Sequence, residues 1–431
     1  MKRVRDAKLG KTETRTSTAR QAPVRLPAGT GSPGGARGAL SRRAFCKGLA
    51  GGAVAAMAAA SSKGAIAGDT EEKRIRIAVV GGNFGATFWW HEHPHCVVTA
   101  VTDLIPDRRE RLARRYGCEN AYPSLEVMLK KAADRFDAVA VFSGAPEHVK
   151  HSVMCMNAGK HVVCAVPAAI SLEECQLLKE TKEKTGLKYM MAESSYYRQA
   201  CIAARELYQA GKFGNLFYSE VEYYHNHIGS ARRYPDVWRY GFPPMLYPTH
   251  STGFLVGVTR ERLVEVSCLG TREEPFPRPE QNVYRNPFSN ELGLFKTNHG
   301  NVCRANVCWR IAAGGERAQW FGTEMSCYMS SSGGLSNAME IVGKGRVPWN
   351  VPQYWKTDRV PERMRHPSGH GGSAVFISAE FINALVENRE PAIDVYESLG
   401  MTAPGIVAHQ SALKRGEQLK VPDFDRQPKK A

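Results

Sequence analysis

The sequence has no CxxC pair, no cysteine–histidine spacing of the zinc-binding kind, no internal repeat, and no apolar run long enough to span a bilayer as a mature helix. Those absences leave no ground for a zinc module, a repeat array or a membrane-spanning helix. Acidic residues are scarce only at the start. Residues 1–67 hold thirteen Lys and Arg against two acids and so carry +11 of the formal charge of +16, while the remainder has 45 basic against 40 acidic residues. An excess confined to one end gives no ground for a nucleic-acid partner. The histidines of "HEHPH" (His91, His93, His95) and the pair His225 and His227 are joined to no carboxylate at a metal-binding spacing. No metal is expected, and "HEHPH" reads as a solvated loop.

What is present is length and alternation. A chain of 431 residues with 43% hydrophobic content can bury two cores. From residue 74 strand and helix patterns alternate. "RIRIAVV", "VVTAVTD", "DAVAVFS", "HVVCAV" and "KYMMAE" read as strands, separated by helical patterns at 106–116, 147–157 and 172–185. Such alternation predicts an α/β fold with a doubly wound parallel (Rossmann) sheet over 72–194. Beyond a helix at 199–210, strands dominate at 216–227, 262–270, 291–300, 301–311 and 317–323. Residues 195–431 are therefore expected to form an α+β domain on a mostly antiparallel open sheet. Helical patterns at 374–388 and 395–416 are expected to pack back near the domain junction. The open sheet offers an edge and face for a homo-oligomer.

The leader has its own logic. "SRRAFCKG" (41–48) sets an arginine pair before a phenylalanine, followed by the weakly apolar "LAGGAVAAMAAA" and the small residues "AIA" at 65–67. This resembles a twin-arginine export signal, which implies the twin-arginine translocase as a partner and a periplasmic or secreted destination. A basic tail beside an Ala-rich helix is the alternative. Export of an already folded chain places folding in the reducing cytoplasm, so the ten cysteines after Cys46 are expected to be buried thiols.

"VVGGNFGATF" follows the first strand and is read as opening a helix. Gly81, Gly82 and Gly85, with Asn83 and Phe84 between them, fit a compressed phosphate loop whose turn tolerates no Cβ and whose helix N-terminus points amides at a pyrophosphate. Asp103 ends the second strand 22 residues after Gly81, where a carboxylate accepts from ribose hydroxyls and repels a 2′-phosphate. NAD is thus expected ahead of NADP; a tight strand–helix turn without a ligand is the alternative.

These features, with "GAPEHV" (144–149), "AGKHVVCAVP" (158–167) and "GKFGNLFYSEVEY" (211–223), resemble the glucose-fructose oxidoreductase and inositol dehydrogenase family, Gfo/Idh/MocA, over nearly the whole chain after residue 72. The resemblance implies a Rossmann domain joined to a substrate-carrying open sheet. It also adds Ser143, Pro146, His148 and Ala165 to the cofactor-binding set. The family's Glu-Lys-Pro falls on Ala165, Val166 and Pro167, so only the proline remains. In the dehydrogenases that lysine assists proton transfer, and Val166 weighs against ordinary alcohol oxidation. "MMAESSYYR", "YYHN", "WRYGFPPMLYPTH" and "HGG" look like the family's NAD-dependent glycoside hydrolases, which also lack the lysine. Those enzymes hold NAD permanently, oxidise a ring hydroxyl, eliminate the aglycone, add water and return the hydride.

Four residues are candidates for the displaced acid/base work. His250 titrates near neutrality and sits at a helix start, where it could instead serve as a cap. Tyr247 lies three residues earlier and could equally pack in the core. Tyr197 matches a tyrosine of the hydrolase branch, with Tyr196 as its core-forming neighbour. Glu193 ends the fifth strand, as a replacement carboxylate or an anchor for the junction. Trp238 and Arg239 suit a sugar site, by stacking on a pyranose face and by binding hydroxyls or an acidic group. His225 and His370, with His227, are lesser candidates for substrate binding. The expected activity is that of an exported, NAD-dependent, carbohydrate-acting protein that recycles its cofactor; the alternative is a sugar- or NAD-binding protein without catalysis. A cytoplasmic NADP dehydrogenase with a spurious leader is the third reading.

Overall fold

Runs of Ile, Val, Ala and Met flanked by turn residues become strands covered on both faces. In the computed structural model these are β1 (Ile75–Val80), β2 (Cys96–Thr102), β3 (Ala121–Tyr122), β4 (Ala138–Val141), β5 (His161–Cys164) and β6 (Tyr189–Met191). The structure describes residues 74–226, 238–330 and 336–426; the leader, with the stretch read as an export signal, lies outside them, as does His227. The six strands pair in parallel in the order β3-β2-β1-β4-β5-β6. Helices α1 (Pro106–Tyr116), α2 (Leu125–Ala132), α3 (His148–Asn157) and α4 (Leu172–Thr185) connect them. Helix α2 has no counterpart in the sequence reading. Its start is nonetheless coded locally, since the Ser124 hydroxyl accepts from the Val127 amide.

One expectation fails at the glycine loop. The chain after Gly85 forms only two 3₁₀ turns, Gly85–Thr87 and Trp90–Glu92, not a helix. Phe88 and Trp90 are pulled into the core in this short crossover, and Pro94 closes it before β2. The same packing overturns the solvated reading of "HEHPH". His93 is 1% exposed, accepts from the His95 amide through Nδ1 and lies 3.0 Å from Asn383 Oδ1 through Nε2, while Glu92 pairs with His366 at 2.7 Å.

After α5 (Gln199–Gln209) the chain builds a nine-stranded sheet. Its strands are β7 (Leu216–His225), β8 (Leu263–Thr271), β9 (Asn290–Thr297), β10 (Val302–Cys308), β11 (Gly314–Gly322), β12 (Met325–Tyr328), β13 (Ala338–Ile341), β14 (Gly345–Pro348) and β15 (Leu419–Lys420). The order is β14-β13-β12-β11-β7-β10-β9-β8-β15, antiparallel throughout except for β7 beside β10. Period-2 patterning gives the sheet two unlike faces. Val221, Ala305, Val307, Ala318 and Trp320 are buried on one, where α6 (Thr249–Thr259) packs and the Trp320 indole N–H donates to the Phe254 carbonyl of α6. The other exposes Leu269, Leu292 and Leu294 beside an ionic row of Arg304, Glu220, Glu222 and Arg317. Helices α7 (Gly369–Val386) and α8 (Val395–Leu413) close the fold. Helix α8 and Ile393 just before it meet the Rossmann domain directly: the Met191 amide donates to the Ile393 carbonyl, and the Ala168 amide to Thr402 Oγ1. The ten described cysteines are all buried and unpaired. No described helix is long and apolar enough to cross a membrane.

Helix α4 shows how local sequence sets these boundaries. Ser171 accepts from the Glu174 amide at 3.1 Å, and the Glu174 carboxylate reaches back to the Ile170 amide at 2.8 Å. Ser171→Ala is expected to cost about 1 kcal/mol, measured as a lower urea midpoint at unchanged slope; an unchanged midpoint would mean that packing against α3 and α8 alone fixes the helix start.

Candidate functional site

The carboxyl ends of the parallel strands place the candidate residues in one row. Across the sheet the row reads Asp103 after β2, Gly81 after β1, Ser143 after β4, Ala165 after β5 and Glu193 after β6. Four strand spacings make it about 19 Å long, and the strand order reverses between β1 and β4, where open α/β sheets bind dinucleotides.

The Asp103 end is shaped for a ribose. Gly81 adopts φ +96°, and a Cβ there would stand 2.2 Å from the Phe142 carbonyl oxygen. A Cβ on Gly82 would meet the Arg108 carbonyl at the same distance. Asp103 Oδ2 accepts from the Gly82 amide at 2.6 Å and Oδ1 from the Ile105 amide at 2.7 Å. Each oxygen retains acceptor capacity, so the carboxylate is fixed against the loop with lone pairs left for hydroxyl donors. Asn83 is exposed at the loop tip, and Phe84 packs edge-on against Phe142 and against His370, with ring centroids 5.5 and 5.4 Å apart. These residues fit NAD.

Two other cofactor candidates sit differently. The Ser143 hydroxyl is bonded to His151 Nδ1 at 2.9 Å, and Pro146 lies within a 3₁₀ turn, Ala145–Glu147. His148 does not face the row. It is 1% exposed, and its Nδ1 and Nε2 meet the Pro167 and Ser143 carbonyls at 2.8 and 3.0 Å. Two carbonyl acceptors require two N–H donors, so the ring is held as imidazolium. Burial opposes that charge, but Cys164 and the two carbonyls outweigh it and hold the pKa at about 9. His148 therefore braces the loops carrying Ser143 and Ala165–Pro167 and has no ring atom left for a ligand, which corrects its assignment to cofactor contact.

At the other end of the row lies a buried acid/base cluster. Glu193, fully buried, accepts through Oε1 from the Ser195 amide and from His250 Nδ1, each at 2.7 Å. His250 is the second residue of α6. Its ring is flanked by Tyr223 and Tyr247, with centroids 4.7 and 5.4 Å away. The Ser195 hydroxyl donates to Glu316 Oε2 at 2.8 Å, and Arg198 binds both Glu316 oxygens at 3.0 and 2.8 Å. Burial would raise both carboxyls. His250, the Thr249 hydroxyl and the Ser195 amide hold Glu193 below the ordinary carboxylate range instead, and Arg198, with His250 and the Ser195 hydroxyl, does the same for Glu316. Burial would lower His250, yet the Glu193 and Glu316 charges raise it above the usual imidazole value. The result is an imidazole whose Nδ1 is committed to a carboxylate and whose Nε2 is left to exchange a proton.

Tyr247 joins this cluster. Its phenol is raised by burial against the pull of the neighbouring Arg239, and its ring lies 6.1 Å from that of Trp238. Trp238 lies close against the Rossmann loop, since a Cβ on Gly144 would stand 2.5 Å from the indole Cδ1. Arg239 stacks over the Trp238 ring at 4.5 Å. His225 is exposed at the end of β7, its ring 5.9 Å from that of Tyr223. His370 opens a bend, His370–Gly372, with all three residues at positive φ. Arg198 fixes that bend, because a Cβ on Gly371 would stand 2.2 Å from its Nη1.

Tyr197 is not part of the cluster. Its ring stacks on Phe376 of α7, nearly parallel at 5.9 Å, and its charged surroundings are Glu380, Arg205 and Arg260. It fills the α5–α7 interface, so its catalytic assignment is corrected to packing. The sequence reading missed Ser195, Arg198, Tyr223 and Glu316. One signal was available for Glu316: on β11 it falls in phase with the buried Ala318 and Trp320, and an acid on the apolar phase of a strand requires a partner.

A two-domain chain with a dinucleotide row and a buried carboxylate–imidazole pair at one end is of the NAD-binding oxidoreductase type. Residues 75–193 match the oxidoreductase family with NAD-binding Rossmann fold, Gfo/Idh/MocA, and residues 350–430 match the glycosyl hydrolase 109 C-terminal domain. The chain thus carries a Gfo/Idh/MocA Rossmann domain and a C-terminal segment of the glycosyl hydrolase 109 type. A glycosyl hydrolase family 109 protein of Solibacter usitatus is 27% identical over 323 residues, 68% of this chain and 72% of that one. Its namesake in Streptomyces coelicolor is 24% identical over 395 residues, covering 82% and 83%. Among solved structures, levoglucosan dehydrogenase in complex with NADH and levoglucosan gives a TM-score of 0.68 at 15% identity, covering 82% of this chain and 100% of that one. An inositol dehydrogenase homologue from Azotobacter vinelandii, complexed with NADH and myo-inositol, gives 0.64 at 18%, covering 81% and 98%. At these identities the structural likeness establishes the fold.

Asp103→Ala is expected to weaken NAD binding by about 1–3 kcal/mol, read as loss of NAD from purified protein or by calorimetric titration. Unchanged retention would remove the carboxylate from the cofactor site.

Proposed function

We propose that the protein cleaves glycosides without net redox change, keeping its NAD through each turnover, and that Glu193–His250 does the proton transfer that Ala165 and Val166 cannot do. The observation that carries this reading is the Glu193–His250 contact itself, a 2.7 Å bond from a fully buried carboxylate to an imidazole at the β6 end of the strand row. Bound NAD supplies reversible hydride acceptance. His250 takes the proton of the hydroxyl being oxidised onto Nε2 and returns it. Glu193 fixes the tautomer and stabilises the imidazolium formed in between. Tyr223 and Tyr247 exclude water from both sides of the ring and offer phenols to sugar hydroxyls. Water and glycoside enter and sugar and alcohol leave, so no external oxidant is consumed.

That balance suits an exported protein. The arginine-pair leader supports passage of the folded, NAD-loaded chain through the twin-arginine route into a compartment where spent cofactor would not be replaced. Replacement of Arg42 and Arg43 together by Lys should then leave precursor in the cytoplasm, which fractionation would detect.

Two measurements test the chemistry. His250→Ala should lower glycoside turnover about a hundredfold or more with NAD content unchanged; wild-type inactivity across a glycoside panel, with NAD bound, would favour a binding protein instead. The pH profile tests the pair. The neutral ring is the base and exists above its pKa, which Glu193 and Glu316 raise, so the acid limb of kcat/KM should lie above the ordinary imidazole value of about 6.5. Glu193→Gln removes one of those charges and should move the limb to lower pH. A limb that stays in place would assign it to another group.

A further inference from the structure

Charges in the cluster are matched with one exception. Glu316 is spent on Arg198, and Glu193 on His250. Arg239 has no ion pair among the described residues, and its buried Nε finds no hydrogen-bond partner there. One face of its guanidinium lies on the Trp238 indole at 4.5 Å, and the Tyr247 phenol stands beside it. A guanidinium covered on its face presents its edge, a planar fork of N–H donors that matches a carboxylate in two parallel bonds and a lone hydroxyl in one. Water can satisfy that fork in the absence of a substrate. A substrate that displaces the water must replace it, because a desolvated and unpaired cation opposes binding.

We propose that the sugar cleaved here is acidic, with its carboxylate seated on Arg239 and its pyranose ring on the Tyr247 and Tyr223 side of His250. The inference rests on the glycoside-cleaving reading and narrows it from carbohydrates in general to uronides. The site is cross-braced for this: Trp238, which holds the guanidinium flat, is itself pressed against Gly144 of the Rossmann loop. The guanidinium is thus positioned from the domain that binds the cofactor.

The test uses the NAD-loaded protein with methyl glucuronide and methyl galacturonide against the corresponding neutral methyl glycosides, by calorimetric titration at low and high salt. The uronides should bind at least about tenfold more tightly, with the advantage shrinking as salt rises. Arg239→Gln should collapse the ratio between acidic and neutral ligands towards one, and Arg239→Lys, which keeps charge but loses the fork, should restore part of it. NAD content of each variant reports whether the fold and the cofactor site are intact. Equal binding of acidic and neutral glycosides by the wild type would overturn the proposal while leaving glycoside cleavage standing. Loss of NAD in Arg239→Gln with the uronide preference preserved would also overturn it, by assigning the guanidinium to the dinucleotide. No binding or turnover of any sugar, acidic or neutral, would remove the carbohydrate reading itself.

Discussion

The carboxylate of Glu193 is the constraint around which the site is arranged. A fully buried anion persists only where donors reach it, and its donors come from two parts of the chain: the Ser195 amide next to it and His250 from α6. Glu193 follows the last strand of the parallel sheet, so satisfying it fixes α6 against the Rossmann domain. Ser195 carries the requirement one step further, because its hydroxyl serves a second buried carboxylate, Glu316, on the other sheet. Removing any one of these partners would leave a charge stranded. The polar cluster therefore acts as a unit that registers the two domains, not as a set of separable contacts.

A second buried pair has the same form and a supporting role. Glu291 on β9 is fully buried, accepts from His409 Nδ1 of α8 at 2.7 Å and holds the Met245 amide at 2.7 Å. Met245 stands two residues before Tyr247 and five before His250, so the segment bearing the aromatic wall is anchored at its start by one carboxylate and at its end by another. Trp309 adds a third anchor through its bond to the Phe242 carbonyl at 2.9 Å. With both ends held, the ring of Tyr247 has little freedom to move away from the imidazole.

The parts legible in the sequence were those encoded locally. Period-2 patterning located strands of both sheets, period-3.6 patterning located α1, α3 and α4, and the glycines at 81–85 marked the turn after β1, because each of these signals lies within one strand, turn or helix. Glu193 and His250 could be singled out by chemistry and position, as a carboxylate at a strand end and an imidazole at a helix start, but their contact spans 57 residues and no local pattern reports it. Glu316 lies 118 residues from Arg198, farther still. Tyr197 and His148 show the converse: residue types suited to catalysis whose side chains are claimed by packing against Phe376 and by two backbone carbonyls. The missing helix after Gly85 has a similar origin, since burial of Phe88 and Trp90 overrode the strand–helix turn expected of a glycine loop.

The apolar pair before Pro167 then takes on a structural meaning. Ala165 and Val166 are 6% and 4% exposed and lie on the loop that His148 braces as a cation. A lysine at Val166 would bring a second buried cation close to that imidazolium, and a desolvated like-charge pair is costly. A glutamate at Ala165 would add an anion to a row that already contains Glu193. With both positions apolar, the buried charges of the row lie at the β6 end, where Arg198 and His250 balance Glu316 and Glu193. On the reading proposed above, proton transfer moves one strand along the sheet edge, with its opposing wall supplied by β7, β11 and α6 instead of by the Rossmann loop.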